Sequence, residues 1–503
     1  MKSSIFRTLR ATLIATTLMR SRKECYVGKL SLAKMACIVS VFCAATAILS
    51  PAQTFTSLFS FDGKNGANPH YVNLVQGMDG NLYGTSYVST GSGGTVFKIT
   101  TEGALTTLHT FCPHGFPCTD GSQPDAGLML ATSGNFYGTT MNGGTNNDGT
   151  VFEVTPQGKL TTVHSFDATD GTEPEVGLIQ ANNGDLYGTT TEGGTSGEGT
   201  IFQVNSTHTL TSLLSFNGAN GIYPDARLVQ GTNGNFYGTT YEVNSGDGTV
   251  FEITPEGKLT TLHTFHSTDG GGPTGALIQA SNGNFYGTTV GGGANANRGG
   301  GTVFEITAAG KFTSLYSFCS KADCTDGATP YAGLIQATDG NLYGTTFAGG
   351  ANTDSCNGGC GTIFRITTSG QLTTLHSFCS KSACSDGSSP QGGLVQDTNG
   401  TLYGTTYYGG TDGLGTVFSL SVGLGRIVET LPASGTVGST VIILGTNLTG
   451  ATKLSFNGTA VKPTVVSSTE IKATVPAGAT TGTISVTTPS GTLKSNVAFV
   501  VTP

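Results

Sequence analysis

The sequence predicts an all-β protein: a seven-bladed β-propeller of four-stranded blades, closed by its own N-terminal strand and followed by an immunoglobulin-like β-sandwich. Three observations predict it. A Tyr-Gly phrase (NLYGTS, NFYGTT, DLYGTT) returns at Tyr83, Tyr137, Tyr187, Tyr237, Tyr286, Tyr343 and Tyr403, at intervals of 49 to 60 residues. Each interval holds four short apolar or alternating runs divided by Gly turns, which is the content of one blade. Finally, the run of the TTLHSF type appears first at Phe55–Phe61, ahead of any other strand, while the last repeat stops after Gly415–Leu420 and lacks it. The two pieces complete one blade and hide the sheet edges of a ring.

The elements follow in chain order. Scattered Lys and Arg precede an apolar stretch, Met35–Ser50, and then Ser50-Pro51-Ala52, so residues 1–52 read as a secretory signal peptide. That leader holds 8 of the 23 Lys and Arg and 1 of the 31 Asp and Glu, leaving 15 against 30 and a formal net charge of −15. Such a chain repels phosphate backbones and anionic lipid, so neither nucleic acid nor stable membrane insertion is expected. Within residues 53–422 each repeat runs LIQ, an Asn-Gly or Asp-Gly turn, LYGTT, a Gly-rich loop, GTVFEIT, a second Gly turn and KLTTLHTF. With 77 Gly, no Trp and 11% charged residues, strands and tight turns dominate and helices are scarce. Residues 426–503 carry several Val-, Thr- and Ile-rich runs around an Asn457-Gly458 turn, the pattern of a small sandwich.

Two resemblances rest on these segments. GLIQATDGNLYGTTFAGG and GTVFEITPEGKLTTLHTF resemble the GloVer tandem repeat of bacterial exported proteins across roughly residues 54–420. LPASGTVGSTVIILGTNL, LSFNGTAV and EIKATVPAGATTGTISVTTPSG resemble the IPT/TIG immunoglobulin-like domain along residues 426–501. The first implies an extracellular protein without assigned activity, the second a spacer or binding module. Neither brings catalytic residues or a cofactor.

The eight cysteines after the leader fall in close pairs: Cys112 with Cys118, Cys319 with Cys324, Cys356 with Cys360, and Cys379 with Cys384. In an exported chain these read as disulfides stapling local loops; the spacings and the lack of nearby His argue against a metal site. The recurrent Tyr and its Gly read as a packing device. His109, His164, His263 and His376 share a slot that elsewhere holds Phe59, Leu214 or Tyr316, so the slot is expected to ask for bulk rather than imidazole. Asp120, Asp170, Asp326 and Asp386, each before a Gly, read as turn caps, with too few carboxylates per loop for calcium.

Loops of variable length gather on one face, and departures from the repeat there are the candidate ligand residues: Tyr87, Tyr241, Phe347, Tyr407 and Tyr408, the acids Glu192 and Glu242, and Arg298. The expected function is an exported, monomeric, non-catalytic binding or adhesion protein without cofactor, recognising a glycan, another extracellular polymer or a protein. The alternatives are a polysaccharide lyase or hydrolase using Glu192 and Glu242 as acid and base, and a structural surface component.

Overall fold

The computed structural model describes residues 53–243, 246–353, 356 and 358–502; the expected signal peptide lies outside them. The chain is all-β and propeller-like. Among the described residues the repeats form seven four-stranded antiparallel sheets. The third sheet is typical, with strands Ile179–Gln180, Leu186–Thr190, Thr200–Val204 and Leu210–Ser215 in that spatial order. Its second strand is wholly buried, because sheets face it on both sides. The last sheet takes its fourth strand from the start of the chain: Thr54–Ser60 runs antiparallel to Thr416–Ser421, with Phe55 opposite Leu420 and Ser60 opposite Thr416.

Each Tyr-Gly pair sets the spacing within this architecture. A Cβ added to Gly238 would stand 2.6 Å from Phe251 Cζ, and the equivalent glycines meet their Phe at 2.5 to 2.8 Å. Glycine is therefore a steric requirement of the strand. The tyrosine hydroxyl finds an acid in five repeats, whereas those of Tyr187 and Tyr403 accept from Asn183 and Asn399. Tyr137, Tyr237 and Tyr286 donate to Glu153, Glu252 and Glu305 on the adjacent strand at 2.7 to 2.9 Å. Tyr83 and Tyr343 donate instead to Asp79 and Asp339 in the turn, and there the cross-strand partner becomes Lys98 or Arg365. The acid thus comes either from the adjacent strand or from the turn, and in the second case a basic residue stands opposite the Tyr on the adjacent strand.

Consecutive sheets are joined by two repeated hydrogen bonds. The first Thr of YGTT donates to a carbonyl of the segment leading into the next sheet: Thr85 to Ala126 (2.7 Å), Thr139 to Val176 (3.1 Å), Thr288 to Ala332 (2.9 Å). The Gln of LIQ accepts from a turn N–H of the preceding sheet, as Gln230 does from Asn182 (2.9 Å). Both also join the last sheet to the first, through Thr405 to Val72 O (3.3 Å) and Thr398 N to Gln76 Oε1 (3.1 Å).

The histidine slot departs from the sequence expectation. His109, His164 and His263 bond Asp120, Asp170 and Asp269 at 2.9, 2.7 and 3.1 Å, His376 lies 3.2 Å from Asp386, and Tyr316 donates to Asp326 at 2.7 Å. Where the slot is Leu214 or Phe59, the loop residue is Asn220 or Asn65, which keeps only the backbone cap. The slot therefore asks for a hydrogen-bond donor wherever the loop carries Asp, and bulk alone is an incomplete account. The loop Asp is committed to these clips and to backbone N–H groups.

The cysteines pair as nearest neighbours, in agreement with the sequence expectation. Cys112 is bonded to Cys118, Cys319 to Cys324, Cys356 to Cys360 and Cys379 to Cys384. The Cys112 to Cys118 bridge spans the loop that also carries Asp120. Asp120 in turn accepts from the Cys112 N–H at 3.2 Å, so staple and clip fix one loop together.

After residue 425 the chain forms two further four-stranded sheets and a parallel pair, Ser434–Thr436 with Val500–Thr502. Their core contains Val441, Ile443, Leu454, Phe456, Ile471, Ile484 and Phe499. The alternate residues of the same strand, Ile442 and Leu444, point the other way and join the cluster of Met78, Leu128 and Leu130 in the first two repeats. Leu130 stands where six other repeats carry the linking Gln, so an apolar departure in the repeat becomes the seat of the sandwich. Further bonds reach the short turns of four sheets: Thr469 to Met78 O (2.6 Å), Ser434 to Asn182, Asn496 to Gln336 O (3.3 Å) and Ile427 N to Thr398 O (3.1 Å).

Two outcomes follow. Gly238→Ala should lower unfolding free energy by about 1–3 kcal/mol through overpacking against Phe251, measured by urea denaturation. Burial would raise the Asp386 carboxyl, but hydrogen bonds from His376, Ser380 and two backbone N–H groups outweigh it and hold it at about 2. Its contribution is present above the unfolded value near 3.9 and is lost as pH falls through about 2. Asp386→Asn should cost about 1–2 kcal/mol at pH 7, the gap from wild type narrowing between pH 4 and pH 2.

Candidate functional site at the sheet convergence

The segments leading into the first strands share a plan: Pro, one variable residue, two small residues, then Leu. Pro fixes an extended approach, and the variable residue lands beside its counterparts from other repeats. In chain order that residue is Asp125, Glu175, Asp225, Thr274, Tyr331 and Gln391, with His70-Tyr71 in the first repeat, which carries one extra residue. All of these except Asp125 and His70, together with neighbours from all seven repeats, line one narrow cavity of about 60 Å³, room for a few waters and not for a sugar ring.

Three carboxyls from consecutive repeats shape its electrostatics. Asp125 is 2% exposed and bonded to His70 Nδ1; burial pushes its carboxyl up, and the histidine partly offsets that. Burial first, then the negative fields of Asp125, Asp225 and Glu173, push Glu175 up to about 8. Asp225 is raised to about 7 by burial and, more weakly, by Asp125 and Glu242, and its Oδ1 has no partner among the described residues. Thr191 Oγ1 reaches Glu175 Oε2 at 3.5 Å. One cation, Arg227, lines the same cavity.

Aromatic rings cluster beside the cavity, joined to it through Tyr71 and Tyr331, which line it. His70 lies with its ring centre 4.2, 5.4 and 5.1 Å from Tyr71, Tyr87 and Tyr407. Tyr408 stacks edge-on to Tyr407 at 4.4 Å and is 47% exposed. On the other side Tyr71 approaches Tyr331 (6.0 Å), and Tyr331 approaches Phe347 (5.3 Å). Of the sequence candidates, Tyr87, Phe347, Tyr407 and Tyr408 thus meet in one cluster. Tyr241 lies beside Gly272 in the next loop, near enough to Tyr331 for their hydroxyls to interact.

The remaining candidates stand apart from this cluster. Glu192 and Glu242 occupy equivalent bridges, opposite Thr172 and Ile222, and both act on Tyr223 from neighbouring sheets without lining the cavity. Arg298 sits on the short turn Ala296–Arg298, exposed, with its carbonyl oxygen 3.1 Å from Cys319 Sγ. The sulfurs of Cys356, Cys360, Cys379 and Cys384 lie within 4.8 Å of one another, but they are tied up in two disulfides. Sequence reasoning missed His70, Tyr71, Asp125, Glu175, Asp225, Arg227 and Tyr331. Their signal was present in the residue after the recurring Pro, which varies from repeat to repeat while its flanks do not.

Comparisons with known proteins agree with this architecture. The profile of the Gloeobacter/Verrucomicrobia repeat matches residues 112–297 and 265–462, and that of the IPT/TIG domain matches residues 426–501. No curated protein matches the chain. Among solved structures, the BP39L lectin of Burkholderia pseudomallei superposes with a TM-score of 0.50 at 12% identity, over 72% of this chain and 98% of the lectin. The extracellular domain of a hybrid two-component system from B. thetaiotaomicron gives a TM-score of 0.48 at 11% identity over 89% of this chain. This chain spans 58% of that domain's length. PorZ, a surface component of the type-IX secretion system of Porphyromonas gingivalis, gives 0.45 at 16% identity, over 88% of this chain and 61% of PorZ. At these identities the likeness is one of fold.

Raised carboxyls give the protein a characteristic pH profile. Glu175, Asp225, Asp397 (about 6) and Glu429 (about 7), all raised chiefly by burial, bind protons in the folded state that the unfolded chain has already released. Stability contributed by these groups therefore declines as pH rises from about 4.5 to about 8. The melting temperature should peak near pH 5 and fall toward pH 8. Glu175→Gln should raise it by about 2 °C or more at pH 8 while leaving pH 5 unchanged, as read by differential scanning calorimetry.

Proposed function

This chain belongs to the Gloeobacter/Verrucomicrobia repeat family, and on that premise we propose that it is an exported, non-catalytic binding or adhesion protein that recognises a glycan or other extracellular polymer. The seven sheets are the blades of one closed propeller, sealed where Thr54–Ser60 joins the last sheet, and residues 426–503 form its appended IPT/TIG domain. Four disulfides support an oxidising, extracellular setting. Among the described residues no helix is long and apolar enough to cross a membrane.

The observation that carries the reading is the convergence of six rings, Tyr71, Tyr87, Tyr331, Phe347, Tyr407 and Tyr408, on the rim of a polar cavity. Aromatic faces bind the apolar faces of sugars, and rim hydroxyls and carboxyls meet sugar hydroxyls. The cavity is too narrow for a ring, so the ligand lies on the rim. An array of glycans and cell-wall polymers should reveal a ligand, and Tyr407→Ala/Tyr408→Ala should weaken it about tenfold or more. A variant that binds every array component as wild type does removes this placement.

One observation favours a hydrolytic reading. Glu175 and Asp225 stay protonated near neutrality beside Asp125, a pattern that supplies an acid and a base. Release of reducing sugar from polysaccharides, lost in Glu175→Gln, would establish it in place of simple binding.

A further inference from the structure

Arg227 has no counterpart in the other repeats. The residue before the Leu of LIQ is Asn73, Gly127, Gly177, Ala276, Gly333 or Gly393 elsewhere, so one long cationic side chain enters a ring of small residues. A Cβ on Gly177 of the preceding repeat would lie 3.4 Å from Arg227 Cδ, so the Arg227 side chain runs past that glycine. Arg227 makes no ion pair or hydrogen bond among the described residues. It is reached by cavity solvent yet surrounded by protein, and burial is the sole cause that lowers its pKa. A guanidinium stays charged in such a place. Arg227 is thus a solvent-reached cation without a protein partner among the described residues, open to an anion, and its planar fork suits a carboxylate.

Two features narrow the ligand. Asp225, two residues away, and Glu175 line the same cavity, so carboxyl groups able to bond hydroxyls flank the cation. At the other end, the sandwich is bonded to the short turns of the first, third, sixth and seventh sheets, on both sides of the convergence. At about 60 Å³ the cavity itself is narrow enough to take the end of a chain and not a threaded polymer.

We propose that the cavity receives the terminal acidic group of an extracellular saccharide: the carboxylate of a sugar acid held by Arg227, with its hydroxyls on Glu175 and Asp225 and the rest of the chain on the aromatic rim. The inference rests on the glycan reading above and names its ligand class. About 60 Å³ holds a carboxyl group while leaving the pyranose ring at the mouth. Glu175 and Asp225 line the same space, Asp125 acts on both, and all three repel an anion when ionised. Their raised pKa values make binding strongest at mildly acidic pH.

Isothermal titration at pH 5.5 with trigalacturonic acid and with its neutral methyl ester tests this. Wild type is expected to bind the acid about tenfold or more tightly than the ester. Arg227→Gln, folded by circular dichroism, should lose that preference with ester binding unchanged, and Arg227→Lys should keep part of it. Tyr407→Ala/Tyr408→Ala should weaken both ligands alike. A wild type that binds acid and ester equally, or binds neither, overturns the proposal, as does an Arg227→Gln protein with its preference intact. A protein that binds neutral polysaccharides through Tyr407 and Tyr408 and ignores Arg227→Gln leaves the glycan reading standing and overturns this one.

Discussion

The whole array depends on a hydroxyl: the first Thr of each YGTT strand, which donates to a carbonyl in the segment that opens the next sheet. That carbonyl lies between two sheets, away from water, where an unpaired acceptor costs about 1–3 kcal/mol. No sheet can satisfy it alone, so each depends on its neighbour in the array, and the dependence runs round the array to Thr405 and Val72. The Gln-to-turn bond repeats the same logic at the opposite end of the strands. A sheet lost from the series would leave both kinds of acceptor open on one side and a bare edge on the other. This gives a physical reason for Thr54–Ser60 to supply the fourth strand of the last sheet.

Against this uniform frame, departures acquire meaning. Leu130 in place of Gln removes one inter-sheet bond and supplies an apolar seat, which Ile442 and Leu444 of the sandwich occupy. The TVIILG strand, apolar without alternation, is explained by that double duty: Val441 and Ile443 serve their own core, while Ile442 and Leu444 serve the repeats. The loop clip varies as a pair, with His or Tyr wherever the loop has Asp and Leu or Phe wherever it has Asn. A buried carboxylate without its donor would be costly, so the two positions change together.

The same contrast separates what the sequence reveals from what it hides. Strands, turns and the phase of the ends are periodic, and a recurrent Gly or Tyr is legible because it recurs. The cysteine pairs were legible for a different reason: four to six residues separate partners such as Cys112 and Cys118, so local closure needed no knowledge of the fold. The aromatic candidates on the second strands were legible as departures at a known position. Asp125, Glu175 and Asp225 were harder to see because they lie in short segments outside any strand, roughly fifty residues apart. They meet only because equal phase in successive repeats becomes proximity once the sheets stand side by side. Arg298 was legible as a lone charge in a Gly-rich loop and is exposed, but its position away from the aromatic cluster, with its carbonyl against the Cys319–Cys324 disulfide, was not.

The cavity's carboxyls also bear on whether it is a by-product of the fold. Thr274, Tyr331 and Gln391 occupy the same position in other repeats, so the scaffold accepts neutral residues there. Three acids in succession, all with raised pKa values, lower stability at neutral pH and are not needed to build a sheet. The aromatic clustering is similarly dispensable to the strands, whose cores are filled by the recurrent Phe and Tyr. A site that costs the fold stability, where the repeat itself offers less costly residues, is better explained by a ligand than by packing.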